Sequence, residues 1–379
     1  MDKTLLISLV SDQTIPNIQL INEFRNSITH YLFITTSVME RKGVRTWIIN
    51  ACKLETGQIL DSIIVDQFSF DDIENKLDNF QFEEYEKIIV NLTGGTKVMT
   101  LAAFDFFKDL GAEIYYLTGS DDVLIKLAPG RKKKVETIKT QVNLEQFFQG
   151  YGFEIKETSS SSISSLYTER FFEMFTKGLI SEYNDVLSQL REKRGNRITD
   201  FSTFEGLSNF LANIEFPLNT DGELSKHEVK YLTGEWFEEF VSKRLIEELQ
   251  LTSDHIKTGI VISKKNKDGA SIPNELDVVF IWKNKIYLIE CKTSVFVDIL
   301  LPDGTTRPAS IIGETLYKSD SLKQGLGLFA NTSIFILDSL KEYHIKLKTH
   351  IERAALYNIN IINKEALLNS QSIRSLIKI

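Results

Sequence analysis

The feature that most constrains the fold is an alternation of short apolar runs with segments of helical spacing, from Thr4 to Gly119. TLLISLV at the start is followed by a polar loop and then by IQLINEFRNSI, whose apolar residues recur at helical spacing. The same order repeats through YLFITT, KIIVNL and EIYYLTG. Strands that alternate with helices predict an α/β domain with a parallel, Rossmann-like sheet that is covered on both faces.

The length of 379 residues favours two or three compact units. After Asp121 the pattern changes to a β-hairpin turned at Pro129 and Gly130, which closes a first domain at residues 1–146. Residues 147–166 are rich in Gly and Ser, and we interpret them as a linker and a plausible hinge. Residues 167–379 are predicted to form a second α/β domain with a mixed sheet, and its helical lead-in ends at about residue 216.

Composition excludes several classes of protein. The chain has no apolar run near 18 residues and no charged-then-apolar leader, so we expect a cytoplasmic protein that makes no membrane contact. The separated Cys52 and Cys291 predict neither a disulfide framework nor a cysteine-based zinc site. A net charge of -8 leaves nucleic-acid contact to local basic patches or to metal ions. The RKKK run at 131–134 is one such patch, although a short charge run is usually a solvated loop.

Three loops of the first domain are predicted to meet beyond the carboxyl ends of its strands, where parallel α/β sheets bind ligands. The candidate binding residues are Ser11, Asp12, Gln13, Thr14, Thr35, Thr36, Ser37, Asn91, Thr93, Gly94, Gly95, Thr96 and Lys97.

The loop NLTGGTK is the most informative of the three. Its glycines permit close backbone approach, its threonines supply hydroxyls, and the following helix presents free N–H groups, so the loop suits a phosphodiester. It lacks the Walker A spacing, which argues against ATP hydrolysis. An ordinary strand-to-helix turn with Thr96 as the helix N-cap is the alternative.

VSDQTIPN after the first strand and NLTGGTKVM before a helix together resemble the CARF domain, the CRISPR-associated Rossmann fold. The resemblance covers roughly the first 146 residues. It implies that the domain binds a cyclic oligoadenylate across a homodimer, with the three loops lining the site. A two-fold symmetric ring at a two-fold axis would take half of its contacts from each copy.

The second domain contains ELDVVFIWKNKIYLIECK, which is predicted to be a hairpin with an even-length turn at Lys283 and Asn284. That register places Asp277 opposite Glu290, with Lys292 on the same face, while the other, apolar face is expected to be the core side. Directly opposed carboxylates repel one another, and a divalent cation would relieve the repulsion.

Oxygen ligands of this kind suit Mg²⁺ or Mn²⁺, and such a site fits phosphodiester hydrolysis. Lys292 is then placed to orient water and stabilise charge. Cys291 lies on the apolar face of the hairpin, so we expect it to be a core residue and not a nucleophile. A solvated hairpin with a Glu275–Lys292 ion pair is the alternative.

The spacing of Asp277, Glu290 and Lys292 resembles the PD-(D/E)xK restriction-endonuclease-like superfamily, although Pro273 stands four residues before the Asp. The resemblance implies an acidic residue on the preceding helix. Of Glu235, Glu238 and Glu239 we favour Glu238, and a charged helix face with a Glu239–Lys243 pair is the alternative. Tyr317, Lys318 and Gln324 on a later helix are within reach of a substrate, but most are expected to be surface residues.

The two resemblances in this order are similar to type III CRISPR effector nucleases activated by cyclic oligoadenylate, with the tetraadenylate favoured. They imply a metal site at Asp277, Glu290 and Glu238, and cleavage of DNA or single-stranded RNA. Three alternatives stay open: a ligand-binding regulator without nuclease activity, a constitutive DNA nuclease, and slow cleavage of the ring by the first domain.

Overall fold

The structure is a computed structural model that describes residues 3–119, 122–130, 132–156, 165–218, 222–265, 269–300, 306–337, 344–370 and 372–379. Two sheets carry the architecture of this part of the chain, and a two-stranded hairpin stands apart from them. None of the helices within the described ranges has the length and hydropathy that a membrane crossing needs.

The first sheet follows the predicted alternation of strands and helices. Its strands are β1 (Thr4–Leu9), β2 (His30–Thr35), β3 (Ile63–Ile64), β4 (Lys87–Asn91), β5 (Glu113–Leu117), β6 (Val123–Ala128) and β7 (Lys134–Thr137). Its helices are α1 (Ile15–Phe24), α2 (Ser37–Lys42), α3 (Val44–Cys52), α4 (Phe70–Asp78), α5 (Lys97–Asp109) and α6 (Leu144–Gly150). The strand order is β3-β2-β1-β4-β5-β6-β7. Strands β1 to β5 are parallel, and β6 and β7 add the predicted antiparallel hairpin at the edge.

The second sheet is mixed, as predicted. Its strands are β8 (Glu154–Lys156), β9 (Ile256–Lys265), β10 (Ser271–Trp282), β11 (Lys285–Lys292), β14 (Ala330–Ile336) and β15 (Ile359–Ile362), while β12 (Phe296–Leu300) and β13 (Thr306–Ser310) form the separate hairpin. The order is β15-β14-β11-β10-β9-β8, with β15, β14 and β11 parallel and the others antiparallel.

The helices of the second domain include the predicted helical lead-in. They are α7 (Ser165–Thr176), α8 (Asn184–Glu192), α9 (Leu207–Asn213), α10 (Lys226–Lys230), α11 (Trp236–Leu249), α12 (Ile312–Gly325), α13 (His344–Leu356), α14 (Lys364–Asn369) and α15 (Ile373–Leu376). A π-helical turn, Tyr231–Glu235, joins α10 to α11. Short 3-10 segments are Arg25–Ser27, Thr56–Gln58, Phe82–Glu84, Leu179–Tyr183 and Phe201–Thr203.

The interpretation of residues 147–166 as a linker is wrong for its first ten residues. Helix α6 begins with a capping box between Asn143 and Gln146 and buries Phe147 and Phe148. Strand β8 then joins the second sheet by pairing with β9. Local Gly and Ser content suggested flexibility, but these buried aromatic rings fix the segment to both domains. Residues 157–164 of the interpreted linker lie outside the described residues.

One apolar cluster crosses between the two domains. It joins Ile15 and Ile18 of α1 and Phe147 of α6 to Val279 of β10 and Leu288 of β11. The opposite face of the same two strands packs in a second cluster that includes Phe280 and Ile289. The prediction of a single core side for the β10–β11 hairpin is therefore wrong, because the first domain covers the face that carries the acids.

Candidate active site and ligand-binding edge

The hairpin of β10 and β11, which we call the catalytic hairpin, has the predicted register. Val278 pairs with Ile289, and the pairing continues to Trp282 with Lys285. The turn residues Lys283 and Asn284 have φ of 48° and 55°, as a two-residue turn with left-handed backbone requires. The register pairs end one step before the position of Asp277 and Glu290.

Asp277 occupies the place where the ladder ends. Its Oδ2 atom accepts a hydrogen bond of 2.8 Å from the backbone N–H of Cys291, so its side chain is bonded to the backbone of the neighbouring strand. The same oxygen lies 2.8 Å from Nζ of Lys292. Lys292 also contacts Oε2 of Glu290 at 3.1 Å. The structure therefore brings the three predicted hairpin residues together around one ammonium group.

A second lysine reaches this cluster from α12. Nζ of Lys318 lies 2.8 Å from Oε1 of Glu290 and 2.7 Å from the backbone oxygen of Glu275. The sequence placed Lys318 only among residues that reach a substrate, because 28 positions separate it from Glu290 and no local pattern joins them. Two lysines supply counter-charge to the acids, so repulsion between Asp277 and Glu290 does not by itself require a metal.

The leading helix brings a third acid close. Glu238 stands in the first turn of α11, three residues beyond the π-helical turn. Burial, and then the negative charge of Asp277, raises the pKa of Glu238 well above its usual value. Glu239 turns elsewhere, since its Oε2 accepts a 3.0 Å hydrogen bond from the hydroxyl of Thr168. The charge of Asp277 acts on Glu238, whereas Glu239 is bonded to Thr168, and this distinguishes the two acids.

Lys292 is held in its charged form. Burial acts to lower the pKa of Lys292, but the carboxylates of Asp277 and Glu290 outweigh it and hold that pKa above its usual value. A lysine in this state donates hydrogen bonds and stabilises negative charge, and it is a poor proton acceptor near neutral pH.

The fit of this cluster to a divalent cation depends on how many acidic side chains converge. Among the described residues, no three His, Cys, Asp or Glu side chains converge as one ligand group. Asp277 and Glu290 are nevertheless a pair of buried carboxylates, 9% and 4% exposed, on neighbouring strands. Mg²⁺ and Mn²⁺ are typically held by one or two carboxylates, with water and phosphate oxygens in the other positions, so the pair fits such an ion.

Both surface alternatives for the hairpin and the helix are wrong. Lys292 pairs with Asp277 and Glu290, while the lysine that reaches Glu275 is Lys318, which donates to its backbone oxygen. Lys243 pairs with Glu169 at 2.8 Å. The side chains meet partners on distant elements, which local spacing does not show.

Other predicted residues lie apart from the acids. Tyr317 is 54% exposed and stacks with Arg353, whose guanidinium is 5.1 Å from the ring centre. Gln324 donates to Asp320 on its own helix. Residues 132–134 of the RKKK run are exposed, with Lys134 paired to Glu136, and Arg131 lies outside the described residues. Cys291 is buried, and burial raises the pKa of its thiol well above the usual value.

The first domain brings its three predicted loops to one edge of the sheet, since β2, β1 and β4 are neighbouring parallel strands. A Cβ atom at Gly94 would lie 2.3 Å from the backbone oxygen of Leu9 and 3.3 Å from Oγ of Ser11. Gly94 is therefore required for the approach of one loop to another. Gly95 has φ of +80°, which glycine adopts without strain.

Several of the candidate binding residues hold the loops in place. Asn91 is fully buried, donates to Oδ1 of Asn17 at 2.7 Å and accepts from the N–H of Thr93 at 3.0 Å. The hydroxyl of Thr14 donates to the backbone oxygen of Gly150 at 2.7 Å. Thr36 and Thr96 are helix N-caps of α2 and α5, and Thr35 is fully buried.

Eight of the candidates, Thr96 among them, face solvent at least in part. They are Ser11, Asp12, Gln13, Ser37, Thr93, Gly95, Thr96 and Lys97. Asp12 forms an ion pair of 2.8 Å with Lys42 on α2, a lysine that the sequence did not single out. Local spacing gives no sign of it, because Asp12 lies on the loop after β1 and Lys42 at the end of α2, two segments that the sheet brings together.

Gln13 connects this edge to the second domain. Its Oε1 atom accepts from the backbone N–H of Leu328 at 3.0 Å and from the hydroxyl of Tyr151 at 3.3 Å. Leu328 follows α12, the helix that carries Lys318 into the acidic cluster. The candidate binding edge and the candidate active site are therefore linked by one short segment.

Comparison with known families assigns both domains. The Card1 CARF domain matches residues 5–147, and the Card1-like endonuclease domain matches residues 225–374. No curated protein matches the chain.

Solved structures share the whole architecture at low sequence identity. Can2 from Sulfobacillus thermosulfidooxidans, solved in complex with cyclic tetra-adenylate, is 20% identical with a TM-score of 0.71, covering 99% of this chain and 100% of that chain. The protein VC1899 from Vibrio cholerae is 17% identical with a TM-score of 0.73, covering 97% and 95%. A type III CRISPR defence DNA nuclease activated by cyclic oligoadenylate is 16% identical with a TM-score of 0.54, covering 89% and 45%. At these identities the likeness concerns the fold.

Proposed function

We propose a function for this chain from the premise that it belongs to the CARF-domain nucleases, with a Card1-type CARF domain followed by a Card1-like endonuclease domain. It is a metal-dependent endonuclease of type III CRISPR defence that a cyclic oligoadenylate activates. Its substrates are phosphodiester bonds of DNA, supercoiled or single-stranded, or of single-stranded RNA.

One observation carries the catalytic part of the proposal. The ammonium of Lys292 lies 2.8 Å from Asp277 and 3.1 Å from Glu290, so the acids and the lysine share one point at the end of the catalytic hairpin. A structural ion pair can form on an exposed surface. A site that binds a cation and a phosphate instead places its charged groups in a buried position.

The chain's own residues have distinct roles in the proposed hydrolysis. Asp277 and Glu290, with Glu238 beside them, would hold Mg²⁺ or Mn²⁺, which when bound polarises a phosphate and lowers the pKa of a water molecule. Lys292, held charged by its neighbours, donates to a phosphate oxygen or to the attacking water and stabilises the negative charge on the oxygens of the reacting phosphate. The cluster at Asp277 fixes Lys292 in place before the substrate arrives.

The CARF domain supplies the control in this proposal. Can2, which shares the fold, was solved with cyclic tetra-adenylate, and this supports the same ring as the activator here. The partly exposed residues Asp12, Gln13, Thr93 and Lys97 offer hydrogen-bond donors and acceptors at the edge where the ring would lie. A ring of two-fold symmetry would contact two such edges, one from each copy of the chain, so the proposed active form is a homodimer.

The signal passes through direct contact and not through a hinge. Gln13 belongs to the ring-binding loops and accepts the N–H of Leu328 beyond α12. A ring that competes for Gln13 releases this contact and shifts the segment that follows the active-site helix. The ring thereby favours one arrangement of α12 over another, as any activator must.

The test uses purified protein with Mn²⁺ and three substrates, supercoiled plasmid, single-stranded DNA and single-stranded RNA, with and without cyclic tetraadenylate. We expect cleavage of at least one substrate that depends on both the ring and Mn²⁺. Glu290→Gln should abolish cleavage, while Glu314→Gln, an exposed acid on α12, should not.

Each alternative gives a different result in the same assay. Cleavage at equal rates without the ring would identify a constitutive nuclease. Ring binding without cleavage of any substrate would identify a regulator. Loss of the ring itself, measured by chromatography in the Glu290→Gln variant, would assign ring cleavage to the first domain.

A further inference from the structure

We propose that Lys318 is a positioning residue of the active site, which fixes the orientation of Glu290 for the reaction. This inference rests on the proposed function and deepens it. It concerns a residue of α12 that lies outside the D…ExK spacing of the hairpin.

The two oxygens of Glu290 are held by different lysines. Lys318 occupies Oε1 at 2.8 Å and Lys292 occupies Oε2 at 3.1 Å. The Glu290 side chain is 5% exposed, so few water molecules compete for these positions. A carboxylate with one oxygen fixed by a charge-assisted hydrogen bond presents its other oxygen in a defined direction. Here that second oxygen faces Lys292 and Asp277.

Lys318 also has a fixed anchor of its own. Its ammonium donates to the backbone oxygen of Glu275 at 2.7 Å, so one group joins α12, β10 and β11. The helix is held against the sheet by the buried Leu316 and Leu322, on the turns before and after the lysine. Two hydrogen bonds therefore determine where the ammonium lies, whereas an adaptable surface lysine has no such fixed partners.

The place of Lys318 is distinct from that of Lys292. Lys292 contacts both acids, Asp277 at 2.8 Å and Glu290 at 3.1 Å. Among the described residues, the Lys318 ammonium contacts Glu290 and the backbone oxygen of Glu275. Lys318 therefore acts through Glu290. Partners that orient a metal-binding side chain typically change metal affinity or activity by about 10–100-fold when they are removed.

The test compares Lys318→Met, Lys318→Arg and a control on the same helix. Lys323 is a matched control, since it also donates to backbone oxygens, those of Tyr357 at 3.1 Å and Asn358 at 3.3 Å, away from the acids. For the full-length protein we would measure the Kd for Mn²⁺ by calorimetry, kcat and KM for cleavage with the activator present, and the melting temperature without metal.

We expect Lys318→Met to raise the Kd for Mn²⁺ about 10-fold and to lower kcat about 10–100-fold. KM should stay within about threefold of the wild-type value, because Glu290 would hold the metal ion and does not bind the substrate directly. Lys318→Arg should recover part of both losses, since a guanidinium can keep the bond to Oε1. Lys323→Met should change neither the Kd nor kcat.

Two results would overturn the inference. One is a Lys318→Met protein, folded at the assay temperature, that binds Mn²⁺ and cleaves like the wild type. The other is an equal loss in Lys323→Met, which would assign the effect to helix packing. A wild-type protein that binds no Mn²⁺ and cleaves nothing would instead refute the proposed function, so the two failures are distinguishable.

Discussion

The side-chain nitrogen of Asn284 donates to Oδ1 of Asp122 at 2.9 Å, so the turn of the catalytic hairpin is fixed to the CARF domain. Oδ1 of Asn284 accepts the backbone N–H of Val142 at 2.7 Å, and the residue is 3% exposed. The same Asp122 oxygen accepts a second hydrogen bond, from Nε2 of Gln19 on α1. The amide thus joins the β10–β11 turn to two segments of the first domain.

Replacing Asn284 by Gly tests this connection without disturbing the turn, since glycine accepts its φ of 55°. The variant removes the side-chain acceptor of the Val142 N–H and one of the two side-chain donors to Oδ1 of Asp122, leaving that of Gln19. We expect the free energy of unfolding, measured in urea, to fall by about 2 kcal/mol. Lys283→Gly, at the exposed turn position, should change it by less than about 0.5 kcal/mol. Equal effects of the two substitutions would contradict the role of the amide.

Gly327→Ala tests the contact of Gln13 with the loop after α12. A Cβ atom there would lie 2.2 Å from the Tyr151 hydroxyl and 2.8 Å from Oε1 of Gln13, on a backbone with φ of +76°. We expect weaker stimulation by cyclic tetraadenylate and a melting temperature lowered by several degrees, since the clash and strain together cost about 2–4 kcal/mol. Gly178→Ala, with φ of +74° and no atom within 4 Å, reports the strain alone. Stimulation that is unchanged in Gly327→Ala would argue against this contact as the path.

Gly94→Ala tests the packing of the ligand-binding edge. The new methyl group would meet the Leu9 backbone oxygen at 2.3 Å, and a backbone atom cannot move aside as a flexible side chain does. We expect a loss of about 1–3 kcal/mol in the free energy of unfolding, together with weaker ring binding in calorimetry. Gly57→Ala, where no atom lies within 4 Å, is the control. Full ring affinity in Gly94→Ala would show that the loops tolerate displacement.

Glu238→Gln tests the electrostatics of the acidic cluster. Burial and Asp277 raise the folded-state pKa of Glu238, so the folded state disfavours its ionised form. The unfolded chain ionises near its reference value of about 4.3, and stability is therefore lost as pH rises from that value toward the folded-state pKa. Glutamine removes this loss. In buffers with a chelator, we expect the melting temperature of the variant to match the wild type near pH 4 and to exceed it increasingly toward pH 8.

The control is Glu314→Gln, at an exposed position. Its melting temperature should differ little from that of the wild type at every pH, as is usual for surface substitutions. A melting temperature of Glu238→Gln that falls below the wild type at pH 8 would contradict the proposed repulsion.

The two cysteines should be unreactive in the folded protein. Burial raises the pKa of Cys52 to about 12, and both thiols are buried. A chromogenic disulfide reagent at pH 8 should therefore detect no thiol in the native state and two in denaturant, because only the thiolate reacts. A rapidly reacting thiol in the native protein would reopen the question of a nucleophilic Cys291.

Much of the local structure was predictable from the sequence, because periodicity and turn chemistry act over a few residues. The strands and helices of the first domain follow from their alternation. The register of the catalytic hairpin follows from the two left-handed turn residues Lys283 and Asn284. Once an even-length turn is given, the positions of Asp277, Glu290 and Lys292 on the two strands follow from the pleat.

Tertiary structure alone decided what surrounds those residues. Lys318 comes to Glu290 from a helix 28 positions away, the charge of Asp277 acts on Glu238 while Glu239 bonds to Thr168, and Gln13 meets Leu328 across 315 positions. The face of the hairpin that carries the acids is buried because α1 and α6 of the first domain pack on it. A sequence specifies alternation along each element, but which distant elements meet depends on how all their apolar faces are buried together.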